Sequence, residues 1–240
     1  MTIEHTVKSY DEELHNLTQV IQRMGSLAEG QLQTAMQALV RRNADLGHQV
    51  MQADAGIDEL EHQVAALAIR MLALRQPVAL DLREIVGALK ISSDLERIGD
   101  YAANVGKRVI ALAQANYFQL PASLPRMGWL AHKIVKEVLQ AYVERNAAKA
   151  DAARASDEEI DATYNGLFRE LLTHMMEDPR NIGACTHLLF VAKNIERIGD
   201  HATNIAETVH YMVLGEHLGT ARLKGDDTAF MAIPTGKAGA

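Results

Sequence analysis

The chain repeats itself, and the repeat limits the fold more than any other feature. Moved forward by 103 positions, Arg23, Met24, Gly25, Leu27 and Ala28 fall on Arg126, Met127, Gly128, Leu130 and Ala131, and Arg42, Asn43 and Ala44 fall on Arg145, Asn146 and Ala147. The same shift carries Asp54, Ile57 and Asp58 onto Asp157, Ile160 and Asp161. After a short deletion the shift becomes 100, and Glu96, Arg97, Ile98, Gly99, Asp100, Ala102 and Asn104 fall on Glu196, Arg197, Ile198, Gly199, Asp200, Ala202 and Asn204. Matches held in one order over so long a stretch imply two copies of one structural unit.

Proline marks the joints of each copy: Pro77, Pro121, Pro125, Pro179 and Pro234 interrupt long segments with helical spacing. Three helices per unit are predicted, over residues 5–43, 46–75 and 79–115, then 126–150, 153–177 and 180–215. The fold class expected is all-α, two tandem repeats of an elongated three-helix bundle, because helices of this length reach on the order of 50 Å. The first bundle is expected over 1–117 and the second over 125–217. Residues 218–240 carry Gly219, Gly225, Gly236 and Gly239 without helical period and read as a flexible tail.

Composition agrees with bundles, since aromatic residues make up only 5% of the chain against 48% hydrophobic residues. A net charge of -7 with no basic cluster argues against a nucleic-acid partner. The single Cys185 cannot form an intrachain disulfide, and the N-terminus lacks the pattern of an export signal, so a cytoplasmic protein is expected. Apolar stretches such as residues 64–74 are interrupted by charges before the roughly 18 residues a membrane span needs, which restricts any membrane association to the periphery.

The residues that carry chemistry are acidic. On the third helix, Leu95, Ile98, Ala102, Val105 and Val109 form an apolar stripe, and Glu96, Asp100 and Asn104 are expected on the opposite side. Glu196, Asp200 and Asn204 repeat this across from Ile195, Ile198, Ala202, Ile205 and Val209. Two carboxylates one turn apart repel by a few tenths of a kcal/mol, so their repetition calls for a positive partner. Asp54 with Asp58, and Asp157 with Asp161, form further pairs on the second helices.

Counting about the hairpin brings these pairs to one level. Asp54 and Asp58 lie 23 and 19 residues before Pro77, and Glu96 and Asp100 lie 19 and 23 after it. About Pro179 the separations are 22 and 18 before and 17 and 21 after. Four converging oxygen donors suit a hard cation, and the eight residues Glu96, Asp100, Glu196, Asp200, Asp54, Asp58, Asp157 and Asp161 are the predicted metal ligands, for divalent or trivalent Fe, Mn, Mg or Zn. The competing reading is a solvated face neutralised by Arg97 and Arg197.

Glu-x-x-His occurs at Glu12/His15, Glu59/His62 and Glu207/His210, the pattern of di-iron carboxylate bundles, but none of the three recurs in the other unit. No zinc-protease motif, phosphate loop or nucleophile elbow is present, so a non-enzymatic protein is expected, with a metal-dependent carboxylate-bundle enzyme as the alternative. Cys185 reads as a core residue, and Met24-Gly25 and Met127-Gly128 as close helix contacts. Gly99 and Gly199, each about 1 kcal/mol worse than alanine in a helix, point to close approach by an ion, a partner or another helix.

The two Glu-Arg-Ile-Gly-Asp segments at 96–100 and 196–200, Arg-Gln-Pro-x-x-x-Asp-Leu-Arg at 75–83 and Met-Met-Glu-Asp at 175–178 resemble the PhoU family over nearly the whole chain. The resemblance implies paired three-helix bundles and multinuclear metal binding through Glu/Asp-x-x-x-Asp motifs, all eight acidic positions of which are kept here. It further implies a homodimer and a negative regulator of phosphate uptake. The partners it implies are the phosphate ABC transporter and the phosphate-sensing histidine kinase at the inner membrane.

Overall fold

The structure is a computed structural model that describes residues 2–78, 80–115 and 118–218, with side chains from Tyr10 onward. Seven α-helices account for most of it: α1 Thr2–Arg41, α2 Ala44–Arg75, α3 Leu80–Gln114, α4 Ser123–Glu144, α5 Ala147–Ala155, α6 Glu158–Glu177 and α7 Ile182–Leu214, with a 3-10 turn Pro179–Asn181 before α7. No strand occurs among the described residues. None of these helices is long and apolar enough to cross a membrane. Apart from Leu218, the expected flexible tail lies outside the described residues.

The repeated Arg-Asn-Ala triplet is the joint between the first two helices of each unit. Arg42 and Arg145 each adopt the left-handed conformation at φ 49°. The next residue then caps the following helix: Asn43 Oδ1 accepts from Leu46 N and Asn146 Oδ1 accepts from Lys149 N, both at 3.0 Å. Such caps satisfy amides that a helix start leaves without partners. Arg42 also donates through Nη2 to the carbonyls of Leu112 and Ala115, closing the end of α3.

This joint corrects the predicted boundaries of the second unit. The helix expected over 126–150 ends at Glu144, and the one expected over 153–177 is two helices, α5 and α6, separated at Ser156 and Asp157. The triplet match already marked the turn, but apolar spacing that runs across it masked the signal. Pro125, one of the expected joints, lies in the first turn of α4, where a proline removes no intrahelical bond. The three-residue deletion between the repeats falls at the hairpin tip, since Arg75 and Leu80 flank the first tip while Asp178 and Arg180 are their equivalents in the second.

Helices α1, α2 and α3 pack together, as do α4, α5, α6 and α7, and the two sets join through α1 against α4 and α3 against α7. Both joints are antiparallel. A Cβ on Gly25 would strike Leu139, and one on Gly128 would strike Met36. Likewise Gly87 faces Met212, Asp94 meets His201 at 2.8 Å and Arg108 lies over Phe190. The repeats are thus related by an approximate two-fold axis. Helices α1, α3, α4 and α7 form a central four-helix layer, and α2 and α5/α6 flank it. The buried apolar residues, including Met24, Met127 and Cys185, form one continuous core.

Candidate functional site: two acidic hairpin levels

The predicted apolar stripes of α3 and α7 are all fully buried, within 1% of zero exposure. They fix the rotation of both helices and so the direction of the acidic positions. In the first hairpin, Gly99 leaves room for α2: a Cβ there would lie 2.8 Å from Ile57 Cδ1, 3.1 Å from Gln31 Oε1 and 3.3 Å from Asp54 Oδ1. Asp54 therefore stands at the level of Gly99 and Asp100, as the count about Pro77 predicted. In the second hairpin a Cβ on Gly199 would overlap Asp157 Oδ1 and reach Ile160 Cδ1 at 3.1 Å. Both glycines are explained by helix-to-helix approach, which here brings a carboxylate with it.

The first cluster is half-buried and electrostatically coupled. Burial raises the pKa of Asp54; the hydrogen bond from Gln31 and the Lys107 ammonium oppose the rise, and Asp100 and Asp58 add to it. Burial likewise raises Glu96, helped by Asp100, Glu61 and Asp58 and opposed by Arg97. The four predicted residues thus feel one another's charge across two helices. Arg97, itself largely exposed, binds Glu96 at 3.3 Å and Asp100 at 3.1 Å, so part of the neutralisation expected from this arginine is present.

Two residues that sequence reading did not single out complete this site. Glu61 lies on the same face of α2 as Asp54 and Asp58, at spacings of four and three, so its signal was there to be read. Gln31 comes from α1, and its equivalent at the 103 shift is Ile134, so no repeat betrayed it. Its Nε2 donates to Val50 O at 3.0 Å and to Asp54 Oδ1 at 3.3 Å, while its buried Oε1 accepts no hydrogen bond.

The second cluster differs in burial, and here the expectation that the carboxylates turn away from the core is corrected. Asp157, Asp161 and Glu196 retain only 2%, 5% and 4% of their surface. Asp157 sits at the break between α5 and α6 and packs directly on Gly199 of α7. Lys193 lies between Glu196 and Tyr164 of α6 and supplies a positive charge, 3.0 Å from Glu196 Oε2 and 5.1 Å from the ring centroid of Tyr164. The first cluster has Ser93 and Glu61 where the second has Lys193 and Tyr164.

Among the described residues no group of three or more His, Cys, Asp or Glu side chains is arranged to hold a metal ion. The Glu-x-x-His pairs are employed elsewhere: Glu207 with Arg154, His210 with Asp151, Glu59 with Gln63 and His15 with Gln19. They form no shared centre.

Known proteins share both the sequence and the fold of this chain. The PhoU domain matches residues 21–109 and 124–209, one copy in each repeat. The phosphate-specific transport system accessory protein PhoU homolog of Caulobacter vibrioides is 51% identical over 224 residues, 93% of this chain and 97% of that protein. The protein of the same name from Rhizobium meliloti is 49% identical over 98% of this chain and all of its own length. The crystal structure of PhoU from Pseudomonas aeruginosa superposes with a TM-score of 0.84 at 38% identity, covering 86% of this chain and the whole of that one. That of the phosphate transport system regulatory protein PhoU from Streptococcus pneumoniae gives 0.81 at 30% identity, covering 88% of this chain and all of its own. With two matched domains, near-complete coverage by relatives about half identical and the same paired-bundle fold, this chain belongs to the PhoU family.

Proposed function

We propose that this protein is a non-catalytic accessory subunit of a phosphate-specific transport system, restraining phosphate uptake from the cytoplasmic side. It does so by contact with the ABC transporter and with the phosphate-sensing histidine kinase. The observation that carries this reading is the identity of about half over almost the full length with proteins of that name. The carboxylate patches form or organise the contact surface for these partners, and a second copy of the chain joins along the long bundle flanks as a homodimer.

Metal ions belong to the same reading. The donors at each level are carboxylate oxygens, joined in the first cluster by a buried amide oxygen without a hydrogen bond. That set fits hard ions such as Mg, Mn or Fe better than Zn, which favours nitrogen and sulfur. Asp54, Asp58, Glu96 and Asp100, and Asp157, Asp161, Glu196 and Asp200, would hold the ions. An ion there supplies positive charge that offsets carboxylate repulsion and stiffens each hairpin. The protein's own residues orient the donors: Gly99 admits Asp54 to the backbone of α3, Gly199 admits Asp157 to that of α7, and Gln31 holds Asp54.

Expression of this chain in a bacterium lacking its own PhoU tests the regulatory part. A phosphate-starvation reporter and phosphate uptake, both measured in phosphate-replete medium, should fall to repressed levels. A folded, abundant protein that leaves both high would refute the reading. Replacing Glu96, Asp100, Asp54 and Asp58 by their amides then tests the first carboxylate patch. Full repression by that variant would remove the patch and its metal from the mechanism and leave the rest standing.

A further inference from the structure

The approximate two-fold relation gives each end of the molecule the same groove. At the first end Leu39, Val40 and Arg42, where α1 finishes, meet Val109 and Leu112 of α3 around a cavity of about 90 Å³. The shifts of 103 and 100 turn these five residues into Tyr142, Val143, Arg145, Val209 and Met212. All five line the other end, where two cavities sharing Glu84, Tyr142, Arg145 and Met212 measure about 200 and 420 Å³.

The chain that follows accounts for the difference in space. The linker leaving α3 lays Phe118 and Leu120 into the first groove, where both line the cavity and pack on the core. Arg42 adds cover by donating to the Leu112 and Ala115 carbonyls, whereas Arg145 pairs with Glu84 at 2.7 Å. At the second end the chain leaves α7 beside the groove. Val213 lines the groove, and Gly215 turns the backbone next to Arg83 at φ 78°.

Beyond α7 the sequence holds a segment like the one that fills the first groove. Phe118-Gln119-Leu120-Pro121 is a large apolar residue, a spacer, an aliphatic residue and proline, and Met231-Ala232-Ile233-Pro234 repeats that order. Proline favours an extended conformation in the residue before it, and extended backbone presents residues two apart on one side. Met231 lies 13 residues beyond Leu218, a reach of up to about 45 Å. Closing the longer loop costs only slightly more than closing a short one.

We infer that the groove between Leu80, Tyr142 and Met212 is a docking site for an extended apolar-x-aliphatic-Pro segment, and that its occupant is this chain's own residues 231–234. Met231 and Ile233 take the places that Phe118 and Leu120 hold at the other end. Leu80, 49% exposed without the segment, gains an apolar cover. The groove admits a segment of another protein only while its own is out.

Methionine-methyl NMR of the full chain with a nitroxide attached at Thr235→Cys tests this, because Cys185 is buried and stays unlabelled. The Met212 methyl signal should lose most of its intensity relative to the same sample after chemical reduction of the nitroxide. Met36, about 27 Å further along α1 than Thr18 of the groove, should keep its own. Met231→Asp with Ile233→Asp in the segment, and separately Leu80→Asp in the groove, should each restore Met212. Leu80 is the first residue of α3, where an acidic side chain suits the helix, so that variant keeps the fold; circular dichroism checks both. An undiminished Met212 signal in the labelled chain, or a loss that persists in both folded variants, overturns the inference. In a mixture of nitroxide-bearing chain with methyl-labelled, nitroxide-free chain, Met212 should keep its intensity. Loss there gives the groove to the segment of a second copy and overturns the assignment to the chain's own.

Discussion

The separation of α2 and α3, which sets how close Asp54 comes to Asp100, is governed by one crossing. Gly47 and Gly106 face each other there, and a Cβ on either would lie 2.9 Å from the other's carbonyl oxygen. A Cβ on Gly106 would also lie 3.2 Å from Val50 Cβ and Cγ1. The obstacle to Gly106→Ala is therefore backbone, which cannot rotate aside. Alanine gains about 1 kcal/mol of helix propensity over glycine, while overpacking of this kind costs about 1–3 kcal/mol. A net loss of up to about 2 kcal/mol is expected, or up to roughly 8 °C in Tm for a chain of this size.

Gly30 provides the control, because it lies in α1 with nothing within 4 Å of its would-be Cβ. Gly30→Ala should gain up to about 1 kcal/mol. Urea unfolding followed at 222 nm measures both. The equivalents of Gly47 and Gly106 in the second unit, Ala150 and Ala206, are buried, so that crossing is spaced for methyl groups. Adding Gly47→Ala to Gly106→Ala should then cost less than the two single changes summed, since the first has already parted the helices. A Gly106→Ala protein as stabilised as Gly30→Ala would refute the reasoning.

Three further outcomes are expected. Because burial raises Asp54 and Glu96 above ordinary carboxylate values, the folded metal-free chain binds more protons than the unfolded chain between the ordinary and the raised pKa. The penalty from these groups is absent below the ordinary carboxylate range and complete above the raised pKa, so Asp54→Asn with Glu96→Gln should gain stability over wild type as pH rises through that window; a gap independent of pH in urea titrations would contradict the assignment. Asn43→Ala and Asn146→Ala should each lose about 1 kcal/mol by removing the cap of α2 or α5, and equal stability to wild type would show that the repeated Asn has another role. Cys185, fully buried and with its pKa raised by burial, should react with a thiol reagent only at the rate of unfolding, and rapid labelling of the native chain would count against the packing of α7.

Much of this protein could be read along the chain. Helical period, proline joints and the repeat are properties of neighbouring residues, and the level at which two strands of a helical hairpin meet follows from counting about the tip. Counting therefore sets Asp54 level with Asp100, and apolar spacing marks the core stripe of α3, both as the structure has them. The sequence carried a second legible signal in Arg42-Asn43 and Arg145-Asn146, a left-handed residue followed by a cap, which fixes the joint better than apolar spacing does.

What only the tertiary structure decided is which helix covers the far side of each acidic face. A periodic pattern says that Glu96 and Glu196 oppose the apolar stripe; it does not say what is packed there. In the second unit Asp157 packs on Gly199 at the break between α5 and α6, and Glu196 is buried beside Lys193. Gln31 enters the first cluster from a third helix and has no counterpart in the repeat, so neither period nor repetition could disclose it. Local spacing determined which residues could meet, and packing determined which of those meetings are open to solvent and which are closed.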